Sequence, residues 1–403
     1  MKKKYKLDNM GIYFSSTNNS KYQNVFRFSC KLTENIEKNH LKKALNKCLE
    51  LFPNFKTKLK KGFFWYYLET SNDYYNITKG NMDICSNINL KDNNLIRVNI
   101  NKKIINLEIS HIISDGIGCL KFFKTLLFLY LKNKYPSEEL DMSLYNEDFI
   151  KENTYDSYKK CDGKGTSKIS KNKSILKIKQ DKEDKITYSS IYFNTSDVIK
   201  LSKKYNVTVT SFLVSSLVYS ICLNINKKDY GKTIKVDIPV DLRKYFNSNT
   251  ARNFFSLTHI KLKIENNNNY FRDIIKLVDK DLKEKTKIEN LLPRINKMLS
   301  FERNIAAEIV PISIKDIVLS LIDQISVNKY TTCFSNIGKI DIPNNFKKYI
   351  VNFEVITSTP SFQFTTCSYE NIFTMGISSI TKDNKIIKTY LDVLNMLGLK
   401  QII

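Results

Sequence analysis

The chain has 403 residues, 42% of them apolar and 12% aromatic, enough for a large core and too apolar for a disordered or low-complexity protein. Its formal charge of +25 rests on 65 basic residues, of which only seven are arginine. Neither an arginine cluster nor a nucleic-acid motif accompanies that charge, so nucleic-acid binding is not expected, and the excess of lysine, asparagine and isoleucine is what an AT-rich coding sequence imposes. A basic surface still attracts anions, such as the phosphates of a coenzyme or an acidic carrier protein.

Eight cysteines are scattered without a Cys-x-x-Cys pair, and three histidines are too few to complete a metal site with them. Buried thiols in a reducing cytoplasm are the expectation, with no metal. No apolar segment follows Met1-Lys2-Lys3-Lys4, so a secretory signal is not expected. The most apolar window, Ile117 to Leu131, contains Lys121 and Lys124 and is short for a membrane span.

A single core stops growing near roughly 250 to 300 residues, so two domains are expected. Residues 22–31 alternate as a strand. Thr33 is placed to cap a helix from Glu34 to about Leu51, with Ile36, Leu41, Ala44, Leu45, Cys48 and Leu49 on one apolar stripe and Pro53 as its stop. Strands follow at Phe63 to Leu68 and Ile96 to Ile100. An alternating run from Ile104 then ends at His111, Gly116 breaks the pattern, and an apolar helix covers Leu120 to Leu131.

A lone histidine there is ordinarily a half-buried strand residue. The pattern His111-x-x-x-Asp115-Gly116 changes that reading. A tight loop lets the aspartate fold back beside the imidazole or brace the loop through a cation, and the glycine permits backbone angles that other residues avoid.

Residues 151–185 turn to Lys, Ser, Asn, Asp and Gly and read as a solvated connection between halves. The second half opens with a strand at Ile186 to Phe193. Thr195 or Ser196 caps a helix to Tyr205, and Thr210 to Leu223 forms a very apolar one. The strand Lys232 to Val240 delivers Asp241-Leu242-Arg243 into a loop. Residues 270–326 read as helices broken at Pro293 and Pro311. Strands at Thr331 to Ile337, Ser361 to Ser368 and Ile372 to Ser378 precede a last helix from Lys382 to Leu399.

Four stretches together resemble one known superfamily. They are His111-Asp115-Gly116 with its apolar helix, Leu51-Phe52-Pro53 before a strand, Ile238-Pro239-Val240-Asp241-Leu242-Arg243 followed by Arg252-Asn253-Phe254, and Ser335-Asn336-Ile337-Gly338. The chain is in these respects similar to the chloramphenicol acetyltransferase-like superfamily, which includes condensation domains, alcohol O-acetyltransferases, plant BAHD acyltransferases and polyketide-associated acyltransferases. The resemblance implies an α+β fold of two chloramphenicol acetyltransferase-like subdomains in a V around a central tunnel. These span residues 1–150 and 186–403, with 151–185 as the polar linker.

The resemblance further implies an acyltransferase. His111 is then the general base that deprotonates an alcohol or amine attacking an acyl thioester, with Asp115 and Gly116 completing the motif. Asp115 takes a structural role paired with Arg243 across the halves. Ser335 and Asn336 become candidate donors to the oxyanion, and Asn253 a candidate substrate contact in the tunnel. No resident cofactor is implied; a thioester of coenzyme A or of a carrier protein is a co-substrate.

Two departures refine this. Ser110 stands where peptide-forming condensation domains carry a second histidine, and with Trp65 as the sole tryptophan the late Asp-Phe-Gly-Trp-Gly motif of the BAHD branch is missing. Both favour a stand-alone O- or N-acyltransferase of the alcohol acetyltransferase type, and a monomer is expected because both halves lie within one chain. A carrier-dependent condensation or tailoring enzyme, an inactive binding module, and a Cys333- or Cys367-based acyl-enzyme are the alternatives.

Overall fold

The computed structural model describes all residues except 1, 18–23, 74, 86–94, 162–173, 179–181, 266–269, 301–309, 328–329, 359–361, 382–383 and 403. With strands numbered in chain order, three sheets organise it. A small antiparallel sheet holds β1 (Lys4–Lys6), β4 (Tyr66–Thr70) and β3 (Thr57–Lys61) in that order. A five-stranded sheet runs β12 (Ile350–Thr357), β2 (Val25–Leu32), β7 (Ile104–Ser110), β6 (Ile96–Asn101) and β5 (Ile77–Lys79). The largest has seven strands: β10 (Phe255–Lys263), β9 (Thr233–Asp241), β11 (Thr332–Lys339), β13 (Gln363–Tyr369), β14 (Ile372–Thr381), β8 (Lys182–Asn194) and β15 (Gln401–Ile402).

Strands β2 and β7 alternate in sequence yet are buried almost throughout, so their polar positions, such as Arg27 and Glu108, are buried as well. Helices α2 (Lys38–Leu51) and α3 (Gly116–Lys134) join their core. Phe55, just beyond the Pro53 stop, stacks on Phe122 of α3 at 4.5 Å between ring centres. Twelve residues of α3 are buried, so the helix is apolar nearly all round and its hydrophobic stripe is broad.

The seven-stranded sheet is two-faced. One face carries Val236, Ile260, Phe334, Phe364, Ile377 and Met375 into a core shared with α5 (Thr195–Lys204), α6 (Val209–Cys222), α7 (Phe271–Lys285) and the helix Lys385–Met396. The other presents Asp237, His259, Ser335, Thr365, Ser190 and Tyr192, by the two-residue period of a strand. Strand β12 crosses this polar face to pair with β2 of the other sheet. Its Glu354 accepts from Ser190 Oγ at 2.9 Å and Tyr192 Oη at 2.6 Å. A Cβ at Gly376 would stand 2.1 Å from the Val355 carbonyl oxygen, so the crossing needs glycine there.

Several local expectations shift. The second-half strand that crosses to the first sheet was not visible in the sequence as such. Helix α2 begins at Lys38, not Glu34, because the backbone N–H groups of Thr33 and Ile36 are held by the carbonyls of Tyr349 and Lys102. Neither Thr195 nor Ser196 caps α5. Asn194 holds the cap position, and the Asn371 side chain accepts from the Ser196 N–H at 2.9 Å. Pro293 lies inside α8 (Ile288–Ser300) and does not break it. Phe63 and Phe64 are the turn of the β3–β4 hairpin, where Gly62 N–H bonds Trp65 O, and not the start of a strand. Residues 151–161, read as solvated linker, are partly packed: Asn153, Ser157 and Tyr158 are buried. Ser361 and the middle of the linker lie outside the described residues.

Candidate active site

His111 follows β7 directly, and three elements fix it. Its backbone N–H donates to Asn24 O at 2.6 Å, and its carbonyl accepts from Asn253 Nδ2 at 3.0 Å. The ring stacks on Phe14 of α1 (Asn9–Thr17) at 4.3 Å and meets the rings of Phe26 and Phe255 at 5.2 and 5.6 Å. The imidazole is thus half-buried in an aromatic box from which it cannot swing freely.

Its protonation state follows from the hydrogen-bond network. Nδ1 lies 3.0 Å from Asn253 Oδ1. The Asn253 Nδ2 donates to two acceptors, His111 O and Asp8 Oδ1, the latter at 3.1 Å. That orients the amide with its oxygen toward the ring. An amide oxygen only accepts, so Nδ1 carries the hydrogen and the Nε2 lone pair is left for chemistry. Burial lowers the pKa of His111 from its ordinary value; the Asp115 charge and the Asn253 bond oppose it. The ring is therefore neutral at pH 7.

Asp115 does not touch the ring nitrogens. It is the N-cap of α3, with Oδ1 accepting from Gly118 N–H at 2.8 Å. The same carboxylate takes both arms of the Arg243 guanidinium at 3.0 Å each, and Phe254 N–H at 2.7 Å. Arg243 is itself buried and satisfied by Asp241 Oδ1 and the carbonyls of Thr250, Arg252 and Phe254. One carboxylate thereby ties the loop after His111 to the loop after β9. Ser114 Oγ adds a bond to Ala251 O at 2.7 Å. The two loops press so closely that a Cβ on Gly118 would lie 2.2 Å from Ala251 O. At Gly116 it would lie 2.7 Å from Ile337 Cδ1, which brings the end of β11 against the motif.

The three residues named for substrate contact fare differently. Asn253 is fully buried, with its amide atoms committed to His111 and Asp8, so it holds the His111 ring and is not free to bind substrate. Asn336 shares a strand face with core residue Phe334 and bonds Thr210 Oγ1, Gly338 N–H and Thr366 Oγ1, away from His111. Ser335 is on the opposite face of β11, paired with Thr365, and Ile337 beyond it lies at a β-bulge and meets the motif.

Asp8 was missed in the sequence. It caps α1, accepting from Gly11 N–H at 2.7 Å, and takes Arg252 Nε at 3.3 Å besides Asn253. The signal was a local one: an aspartate three residues before a glycine, at the entry to a helix. Burial pushes its carboxyl from 3.8 up to about 6, against the pull of Arg252. A raised carboxyl pKa means that the folded state holds the proton more tightly. This favours folding fully below pH 3.8 and is lost as pH rises through 6. Asp8→Asn should therefore remove a loss of up to about 3 kcal/mol between pH 4 and pH 7. Urea unfolding of both proteins at the two pH values measures it; parallel pH dependences would show that Asp8 does not titrate in this way.

Burial also raises the thiol pKa values of Cys333 and Cys367, and Cys367 Sγ faces the Phe353 carbonyl at 3.6 Å. Neither is poised as a thiolate nucleophile.

The fold is that of the chloramphenicol acetyltransferase-like superfamily, with two sheet-rich subdomains of mixed helix and strand. TRI101 of F. sporotrichioides, solved with coenzyme A and T-2, superposes with a TM-score of 0.67 at 11% identity over 98% of this chain and 99% of that one. Polyketide synthase associated protein 5 from Mycobacterium tuberculosis gives 0.63 at 11% identity, covering 98% of each chain. The condensation domain of the Monacolin K polyketide synthase MokA gives 0.60 at 10% identity, over 98% and 97%. No family model matches the sequence, and no curated protein matches it.

Proposed function

We propose that the protein is an acyltransferase that moves an acyl group from a thioester to a hydroxyl or amine, with His111 as general base. The observation that carries this is the Asp8–Asn253–His111 chain, which fixes a neutral imidazole with Nε2 unprotonated. Nε2 takes the acceptor's proton as its oxygen or nitrogen attacks the thioester carbonyl. The tetrahedral intermediate then collapses, its electron pair expels the thiolate, and the imidazolium returns the proton to sulfur. Ser335 is the candidate donor to the oxyanion. No covalent enzyme intermediate is needed, since holding both substrates in line supplies much of the rate.

The donor is a coenzyme A or carrier-protein thioester and the acceptor a small molecule. Support comes from the shared fold: TRI101 was solved with coenzyme A and T-2, whereas MokA contributes a condensation domain. The test is thiol release from a panel of acyl-CoA thioesters with mixed alcohols and amines. Release that requires an acceptor supports the reading. If only carrier-bound donors react, the condensation-type alternative holds; if neither reacts, the protein is an inactive binding module.

A further inference from the structure

The most exposed large apolar side chain in the described structure is Phe63, 72% accessible, at the tip of the β3–β4 hairpin, and Phe64 beside it is 41% accessible. They pack edge to face on each other at 4.8 Å and cover little else. The hairpin tip is not loose. Phe63 O accepts from Ile312 N–H at 3.0 Å, and Phe64 O accepts from Lys315 Nζ at 2.8 Å. Lys315 Nζ also sits 3.2 Å above the Trp65 ring centre, while Asp316 takes Tyr66 Oη at 2.9 Å.

The helix pinned there, Ile312–Val327, turns the wrong face outward for a soluble surface. Ile312, Lys315 and Leu319 are buried, whereas Ile314, Ile317 and Val318 are 53%, 62% and 42% accessible at helical i, i+3, i+4 spacing. Tip and stripe belong to one rigid unit of hairpin and helix, held together by the bonds above. Single exposed apolar residues need no explanation, but a pair of phenylalanines projecting from a rigid tip does.

Its surround is cationic. In the three-stranded sheet, Lys4, Glu69 and Lys58 form one cross-strand row and Lys6, Tyr67 and Lys60 the next, while Tyr5, Leu59 and Leu68 face the core. The outer face of the sheet that carries the tip thus holds four lysines against Glu69 and Asp73, the latter paired with Lys58. Lys61 stands at the hairpin itself, within 3.3 Å of Asp316.

We propose that this patch is a docking site for an anionic lipid bilayer, with Phe63 and Phe64 inserted at the headgroup level and the lysine face lying on the surface charge. Aromatic tips with lysines above them match an interface that is apolar inside and negative outside. An acidic protein would meet the lysines equally well, but would leave no reason for two phenylalanines projecting from a rigid tip. No single described helix is long and apolar enough to span a bilayer. This proposal is independent of the acyl-transfer reading.

The sole tryptophan, Trp65, is the reporter. The full chain is mixed with vesicles of phosphatidylcholine alone or with added phosphatidylglycerol, and sedimentation and Trp65 emission are followed. Binding to the anionic vesicles, weakened by salt and accompanied by a blue shift, is expected. Phe63→Ser with Phe64→Ser should lower that binding at least tenfold with an unchanged melting curve, both side chains being exposed. Should the tip variant melt early, Lys60→Glu decides, since it should cut anionic binding several-fold by charge alone. The proposal is overturned by no binding to anionic vesicles, by equal binding of the tip variant, or by capture of an acidic carrier protein through Phe63 and Phe64 without vesicle binding.

Discussion

His111→Ala should lower acyl transfer by about 10² to 10⁴-fold, the usual contribution of a positioned general base. The variant should still fold. The ring is half-buried and packs mainly on Phe14, so its loss costs about 1 to 2 kcal/mol and shifts the melting temperature by only a few degrees in a chain of this size. Because burial lowers the His111 pKa, the wild-type rate should be flat from neutrality down to about pH 6.5 and fall only below it. The same shift has a stability consequence. A depressed histidine pKa stabilises the fold above the ordinary value of 6.5 and loses that advantage as pH falls. His111→Ala should thus lose the acid limb of the rate profile and part of the acid sensitivity of folding together. Thiol release measured across pH for both proteins checks this; undiminished release in the variant removes His111 from the mechanism.

Asp115→Ala should destabilise the protein by about 3 to 5 kcal/mol, the cost of leaving a buried guanidinium without its main counter-charge. The carboxylate also caps α3 and accepts Phe254 N–H, so neither role can be taken over by water in a site this closed. Asp115→Asn tests the assignment more finely. It keeps one oxygen for Gly118 N–H but turns an NH2 group toward Arg243 or Phe254 N–H, donor against donor. It should lose stability and activity in step, while Arg243→Ala with Asp115→Ala should cost less than the sum of the single changes because the two act as one unit. Urea midpoints of the wild type, the three single variants and the double variant decide. An Asp115→Asn protein with wild-type stability and rate would show that the bridge does not hold the site.

The parts of this site that could be read from the sequence are those written as local strings. His111-x-x-x-Asp115-Gly116 and Ile238 to Arg243 each carry their meaning within a few residues, and Asp115 does meet Arg243. Asp8 was different, and so was the role of Asn253, which the Arg252-Asn253-Phe254 stretch marked only as a substrate contact. What matters about each is a bond to a residue far along the chain, which no local pattern encodes. Asn336 was misplaced for a related reason. One step along a strand reverses the face, so a two-residue motif puts its members on opposite sides of the sheet. Thr33 failed because tertiary bonds from Tyr349 and Lys102 outweigh a good capping residue.

The strand exchange has a consequence in time. Strand β2 is complete at Leu32, yet its neighbour β12 begins only at Ile350. At a synthesis rate of roughly 5 to 20 residues per second, the first sheet waits on the order of 15 to 60 s on the ribosome with one edge of β2 open. That edge is rich in phenylalanine, the kind of surface that pairs with other chains when left uncovered. Expression of a fragment ending before β12 should therefore yield aggregate and not a folded half, and whatever guards this chain during its synthesis must guard that edge until β12 emerges.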